Sequence, residues 1–404
     1  MIAPSLAVRF CGATAPNPFL LSSSPVGNTY EMVARAFDTG WGGAVFKTIG
    51  LDYEVRITHP SPRLNALHLG AARVIGLQNV EQISDRPAAD NFADLARLKR
   101  RYPDRLLVAS VMGLTREEDW AELAKRAEDA GADVIECNFS CPQMTVAGTG
   151  HSVGQDSDAI RHLTELTKRA CSIPVMAKLT PNVADMVPMA LGAKAGGADA
   201  ISAINTVKAI TGVDIDEAVP LPNVGGRSSA SGYSGAAVKP IALRFVADMA
   251  RETRLGLPLS AIGGITTWID AVEFLLLGAT TLQVTTAILR HGYRIIEDLC
   301  EGLADYVADH GHQSVQDVVG KAVQRVVDPA ELSHATRAVS LIDRGRCLGC
   351  GQCYLTCRDG GGQAIALDAE RRPTVDEAAC FGCLMCKHIC PVWDCISYKV
   401  VPRT

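Results

Sequence analysis

Eight short apolar, β-prone runs alternate with helix-like segments over ~300 residues, and this predicts a (β/α)8 TIM barrel of the α/β class. Two further observations extend the prediction. Nearly every one of these runs ends in polar or glycine residues, which places chemistry at one mouth of the barrel. Nine of the 14 cysteines fall at or after Cys347, which marks a second, small α+β domain.

Composition agrees with two folded units. A chain of 404 residues exceeds one ordinary domain, and 48% hydrophobic residues can fill a large core. A net charge of −5 leaves no basic footprint, so nucleic acid is not expected as a partner. No apolar run is long enough to cross a bilayer, and residues 1–10 lack the cationic start and apolar core of a signal peptide. The expectation is a cytoplasmic protein, without membrane contact. In that reducing compartment a cysteine cluster means metal or redox chemistry rather than disulfides.

Taken in order, the strands are expected at 19–21, 43–47, 106–112, 133–138, 174–178, 199–204, 258–262 and 280–284. Helices are expected between them at 116–130, 156–170, 183–195, 238–252 and 268–277. Ala-Gly-Ala-Asp, Gly-Gly-Ala-Asp and Leu-Gly-Ala-Thr stand before the fourth, sixth and eighth strands, as helix ends turning into the barrel. The first strand runs into Ser22, Ser23 and Ser24, and the second ends at Lys47 and Thr48. The fourth ends in Asn138, Ser140 and Cys141, with Pro142 as a strand stop. Lys178 closes the fifth, Asn205 and Thr206 follow the sixth, Gly263 and Gly264 the seventh, and Thr285 and Thr286 the eighth. Two stretches, 49–80 and 207–235, are too long for simple loops and read as insertions over the mouth, the second a Gly- and Ser-rich mobile lid.

Paired glycines after one strand and hydroxyls after the next suit a phosphate held by backbone N–H groups. Flavin mononucleotide fits that arrangement: its ring would cross the mouth, where Lys47 or Lys178 could balance charge on the reduced isoalloxazine.

Residues 1–310 are thus assigned to the barrel, 311–340 to a helical connector and 341–404 to a ferredoxin-like domain. Within the last, Cys347, Cys350, Cys353 and Cys357 follow C-x2-C-x2-C-x3-C, and Cys380, Cys383, Cys386 and Cys390 repeat it. In this two-cluster pattern the fourth cysteine of each run ligates the other cluster. Cys347, Cys350, Cys353 and Cys390 are therefore assigned to one 4Fe-4S cluster, and Cys380, Cys383, Cys386 and Cys357 to the second. Zinc is the alternative, which two complete runs of four disfavour. Pro391 follows the second run as is usual; Arg358 follows the first, where its charge could raise the potential of the nearby cluster. Cys395 is surplus and reads as structural.

Asn-Phe-Ser-Cys-Pro (138–142), Ala-Lys-Leu-Thr-Pro-Asn (177–182), Ile-Asn-Thr (204–206) and Ile-Gly-Gly-Ile (262–265) resemble the flavin barrel of the dihydropyrimidine and dihydroorotate dehydrogenases. With the fused two-cluster domain, the whole chain is similar to the bacterial iron–sulfur flavoprotein subunit of dihydropyrimidine dehydrogenases. The resemblance implies reduction of the 5,6 double bond of uracil or thymine, with Cys141 as catalytic acid/base. It places Asn79, Asn138, Ser140, Asn205 and Thr206 on the pyrimidine. It puts Ser23, Lys47, Thr48, Lys178, Gly235, Gly263, Gly264, Thr285 and Thr286 on FMN. Amides suit a pyrimidine because they carry both donor and acceptor. No Gly-x-Gly-x-x-Gly follows a strand, so no nicotinamide site is visible. The resemblance then implies a partner subunit that binds FAD and NAD(P)H, with iron–sulfur clusters of its own, in a two-plus-two heterotetramer. A dihydroorotate dehydrogenase is the alternative enzyme, and an electron-transfer protein with a degenerate barrel the alternative class.

Overall fold

The computed structural model describes residues 4–52, 57–70, 73–113, 116–141 and 152–403. Pro142, and residues 53–56 and 71–72 of the first predicted insertion, lie outside them. All eight predicted strands form: Phe19–Leu21, Gly43–Val45, Leu106–Val111, Val134–Asn138, Val175–Lys178, Ala200–Ala203, Leu259–Ile262 and Ala279–Val284. They close a barrel in chain order, the last pairing in parallel with the first where Val284 faces Leu21. Leu106–Val111 and Val134–Asn138 are buried at every position, as strands covered on both faces must be.

The helices follow the predicted spans with one correction. The helix expected to begin at Val183 begins at Val187. Pro188 belongs in a first turn, where its missing N–H costs nothing, and Asp185 Oδ1 accepts from Val187 N at 2.9 Å. The helix Ser157–Ala170 starts where Asp156 caps it, its Oδ1 accepting from the N–H groups of Asp158 and Ala159.

The two insertions are not loops. Strands Leu64–Leu69 and Arg73–Asn79 from the first pair with Ser231–Ser234 and Val207–Ala209 from the second in one four-stranded antiparallel sheet. The segment expected as a mobile lid therefore has much of its backbone hydrogen-bonded. The Tyr233 ring end packs directly over Gly76, where a Cβ would stand 2.3 Å from its hydroxyl oxygen and force the ring to move. A short hairpin, Val8–Phe10 with Ala13–Ala15, precedes the barrel.

The chain divides into Met1–Val326 and Val327–Thr404. The predicted helical connector 311–340 is corrected on both counts. Its first half belongs to the barrel unit, with Val315 and Val318 buried in that core, and only isolated 3-10 turns form within it. Gly311 and Gly320 at positive φ and Pro329 interrupt any continuous helix. Its end is a strand, Thr336–Ile342, paired antiparallel with Ile396–Pro402. Around that ribbon the second unit holds helices Gln352–Gly360 and Met385–Ile389 and the strand pair Ile365–Leu367 with Pro373–Val375.

Candidate active site

Parallel closure brings every strand end to one side, so residues distant in sequence gather around one cleft. Every predicted substrate or flavin residue except Ser140 lines it, Cys141 and Asn79 included. With solvent at its mouth the cleft encloses about 1300 Å³.

Ser140 is fully buried behind the lining and acts on other residues. Its N–H and hydroxyl both donate to Asn138 Oδ1, at 3.1 and 2.9 Å. Asn205 Nδ2 in turn donates to Ser140 Oγ at 2.8 Å. Asn138 Nδ2 donates to Thr48 Oγ1 at 2.9 Å, and Thr48 shares hydroxyl contacts with Ser23 at 2.8 Å and Ser110 at 2.9 Å. Thr206 N donates to Asn205 Oδ1 at 2.7 Å. Both amides are thereby turned one way. Among the described residues the second N–H of Asn138 and of Asn205 has no partner within the chain, and both side chains line the cleft.

The two lysines sit in different electrostatic settings. Lys47 Nζ donates to Glu81 Oε2 at 3.1 Å. Burial pushes the ammonium below its ordinary pKa, opposed by the Glu81 charge and hydrogen bond. Burial also raises the Glu81 carboxyl, yet Lys47, His59 and the Arg63 bond at 3.2 Å leave it below the usual range. Lys178, only 3% exposed, faces Glu136 at 3.7 Å. Glu81, Arg63, Tyr233 and Gln283 also line the cleft. Nothing in their sequence setting singled them out. Glu136 did carry a signal, as a lone acidic residue within an apolar strand.

Cys137 lies on the strand face turned away from the cleft. Its Sγ contacts Thr167 Oγ1 at 3.5 Å, and burial pushes its thiol up to about 12.

The lining fits a flavin on three counts. Gln283 Oε1 is a buried acceptor without a partner. Hydroxyls of Thr285 and Thr286 line the cleft, tied to Ser24 and Ser234 at 2.9 Å each. Gly264 has φ +79°, and a Cβ there would fall 2.8 Å from Lys239 Cβ and 2.9 Å from Gly235 O, so only bare backbone fits the cradle.

In the second unit the eight run cysteines surround two hollows. One is lined by Cys347, Cys350, Cys353 and Cys390, the other by Cys357, Cys380, Cys383 and Cys386. Each hollow thus draws its fourth thiol from the other run. Cys395 is buried beside the first hollow, its thiol donating to Asp343 O at 3.5 Å. The charge of Arg358 is paired with Asp359.

A closed barrel with this cleft, followed by a domain of paired cysteine hollows, defines a class of iron–sulfur-linked barrel oxidoreductase. The chain belongs to the dihydroorotate dehydrogenase family, whose model matches residues 5–307, and a 4Fe-4S dicluster domain model matches residues 340–398. It is 50% identical to the NAD-dependent dihydropyrimidine dehydrogenase subunit PreA of Escherichia coli, across 98% of this chain and 96% of that protein. It is 40% identical to the chloroplastic dihydropyrimidine dehydrogenase (NADP(+)) of Arabidopsis thaliana, over 80% of this chain and 78% of that one. The catalytic subunit of dihydroorotate dehydrogenase B (NAD(+)) of Pyrococcus horikoshii is 38% identical over 80% of this chain and its own full length. Among the described residues no helix is long and apolar enough to cross a membrane.

Proposed function

We propose that this chain reduces the 5,6 double bond of uracil or thymine. Electrons would arrive through two 4Fe-4S clusters from a partner subunit that oxidises NAD(P)H. The observation that carries the reading is the gathering of Cys141, Asn79, Asn138, Asn205 and Thr206 around the same cleft that the residues suited to FMN line. The E. coli relative, matched end to end, supports the substrate class and the need for a partner, because its printed name is that of a subunit.

The residues divide the work. The spare N–H groups of Asn138 and Asn205 point a planar heterocycle's carbonyl oxygens into register, and the Ser140 bonds hold both amides against flipping. Ser23, Lys47, Thr48, Lys178, Gly235, Gly263, Gly264, Thr285 and Thr286 would hold the flavin. When bound, that cofactor supplies hydride and couples single-electron carriers to a two-electron reaction. Cys141 supplies the proton. Cys347, Cys350, Cys353 and Cys390 would hold one cluster, and Cys357, Cys380, Cys383 and Cys386 the other.

The test is anaerobic turnover of the purified chain against uracil, thymine and orotate, with dithionite or a reduced viologen as electron source. The expected result is reduction of a pyrimidine lacking the carboxylate, and no useful rate with NADH or NADPH alone. Preference for orotate would favour the dihydroorotate dehydrogenase reading, to which the Pyrococcus relative belongs. Fast turnover with a nicotinamide and no second protein would remove the partner.

A further inference from the structure

Among the described residues Glu136 is the one carboxylate within the barrel strands, and the proposed reaction assigns it no role. It lies two residues before Asn138 on the same strand, so both side chains point into the barrel. It is 0% exposed and does not line the cleft. Ser202 Oγ donates to its Oε2 at 2.8 Å, while Oε1 has no hydrogen-bond partner and stands 3.7 Å from Lys178 Nζ. Lys178 lines the cleft, and among the described residues its ion pair is with Glu136 alone.

A buried ion is tolerated when a partner of opposite charge lies beside it, and losing either partner leaves an uncompensated charge. The separation is longer than a good charge-assisted hydrogen bond. Glu136 therefore offsets the ammonium charge from beyond hydrogen-bond distance, while Lys178 itself lines the cleft. We infer that Glu136 is a positioning residue that acts through Lys178, reducing the net positive charge that this lysine presents to the bound flavin. The inference rests on the proposed reading that Lys178 faces the flavin. Its consequence is thermodynamic: a cation beside the ring favours the anionic reduced cofactor, and Glu136 limits how far that preference goes.

The test is a double-mutant cycle read as the flavin midpoint potential of the FMN-loaded chain, with flavin content measured alongside. Lys178→Met alone is expected to move the potential negative. Glu136→Gln alone is expected to move it positive, because the ammonium is then unopposed. On the Lys178→Met background the carboxylate has no ammonium to offset, so Glu136→Gln is expected to change the potential less than it does in the parent. An unchanged potential in Glu136→Gln, with Lys178→Met shifted, overturns the role of Glu136 and leaves the lysine's placement standing. An equal Glu136→Gln shift on both backgrounds also overturns it, because the carboxylate would then act without the lysine. No shift in Lys178→Met removes the reading of Lys178 itself, and the inference with it. Should Glu136→Gln fail to fold, Glu136→Asp draws the carboxylate back by one methylene. It is expected to shift the potential in the same positive direction by less, and the absence of any shift would refute the proposal.

Discussion

Cys141 and Cys137 stand four residues apart, yet the barrel gives them opposite surroundings. Cys141 lines the cleft, whereas Cys137 packs against Thr167 with its thiol pushed up to about 12 by burial. A thiol so displaced neither ionises nor exchanges protons usefully near neutrality. Serine matches cysteine in size but is a far weaker acid. Cys141→Ser is therefore expected to keep the fold and pyrimidine binding while turnover falls by ~10²-fold or more, the usual scale for a positioned general acid. Cys137→Ser should leave turnover within a few-fold of the parent and lower thermal stability instead, because it buries a stronger polar group in an apolar site. Steady-state kinetics and thermal unfolding of the two variants decide the matter. A fast Cys141→Ser beside an inactive Cys137→Ser would reverse the assignment.

Strands from two insertions far apart in sequence meet in one sheet, and Gln78 fastens them. Its Nε2 donates to Ser231 Oγ at 2.8 Å and to Ser229 O at 3.3 Å. Its Oε1 accepts from Thr211 N and Thr211 Oγ1 at 2.8 and 2.6 Å. The side chain is fully buried, so truncation strands several polar groups away from water. Each such orphan costs about 1–3 kcal/mol. Gln78→Ala is expected to lose about 2 kcal/mol or more of stability. KM for the pyrimidine should rise more than kcat falls, since the sheet carries Asn79 to the cleft but no reacting group. Unchanged unfolding and an unchanged KM would show that the sheet is held by its backbone ladder alone.

At the scale of the whole chain, the crossed cysteine hollows separate two ways of wiring the second unit. Cys357 belongs by sequence to the first run but stands with Cys380, Cys383 and Cys386 around the second hollow. The full chain is expected to carry ~8 iron atoms as two four-iron clusters. Cys357→Ala should then lose the second cluster and about half of the iron, leaving the first intact by electron paramagnetic resonance and metal analysis. Loss of the first cluster with the second retained would show uncrossed ligation. Zinc in place of iron would overturn the ferredoxin reading altogether.

Local order was legible in the residues themselves. Strand order follows from apolar runs and the glycines that end helices, and the polar strand ends follow because parallel strands in a barrel all finish on one side. The C-x2-C-x2-C-x3-C spacing anticipates the crossed hollows, in which each run gives three thiols to one hollow and its fourth to the other. Tertiary closure decided what short-range patterns cannot encode. Period-two alternation tells inside from outside but does not tell the cleft from the layer beneath it. Cys141 therefore reaches the lining while adjacent Ser140 is buried behind it, orienting Asn138 and Asn205. The pairing of 73–79 with 231–234 joins segments too distant for turn chemistry to register, so the second insertion read as a mobile lid rather than as sheet. The Lys178–Glu136 contact likewise depends on the register of neighbouring barrel strands, which only the closed barrel sets.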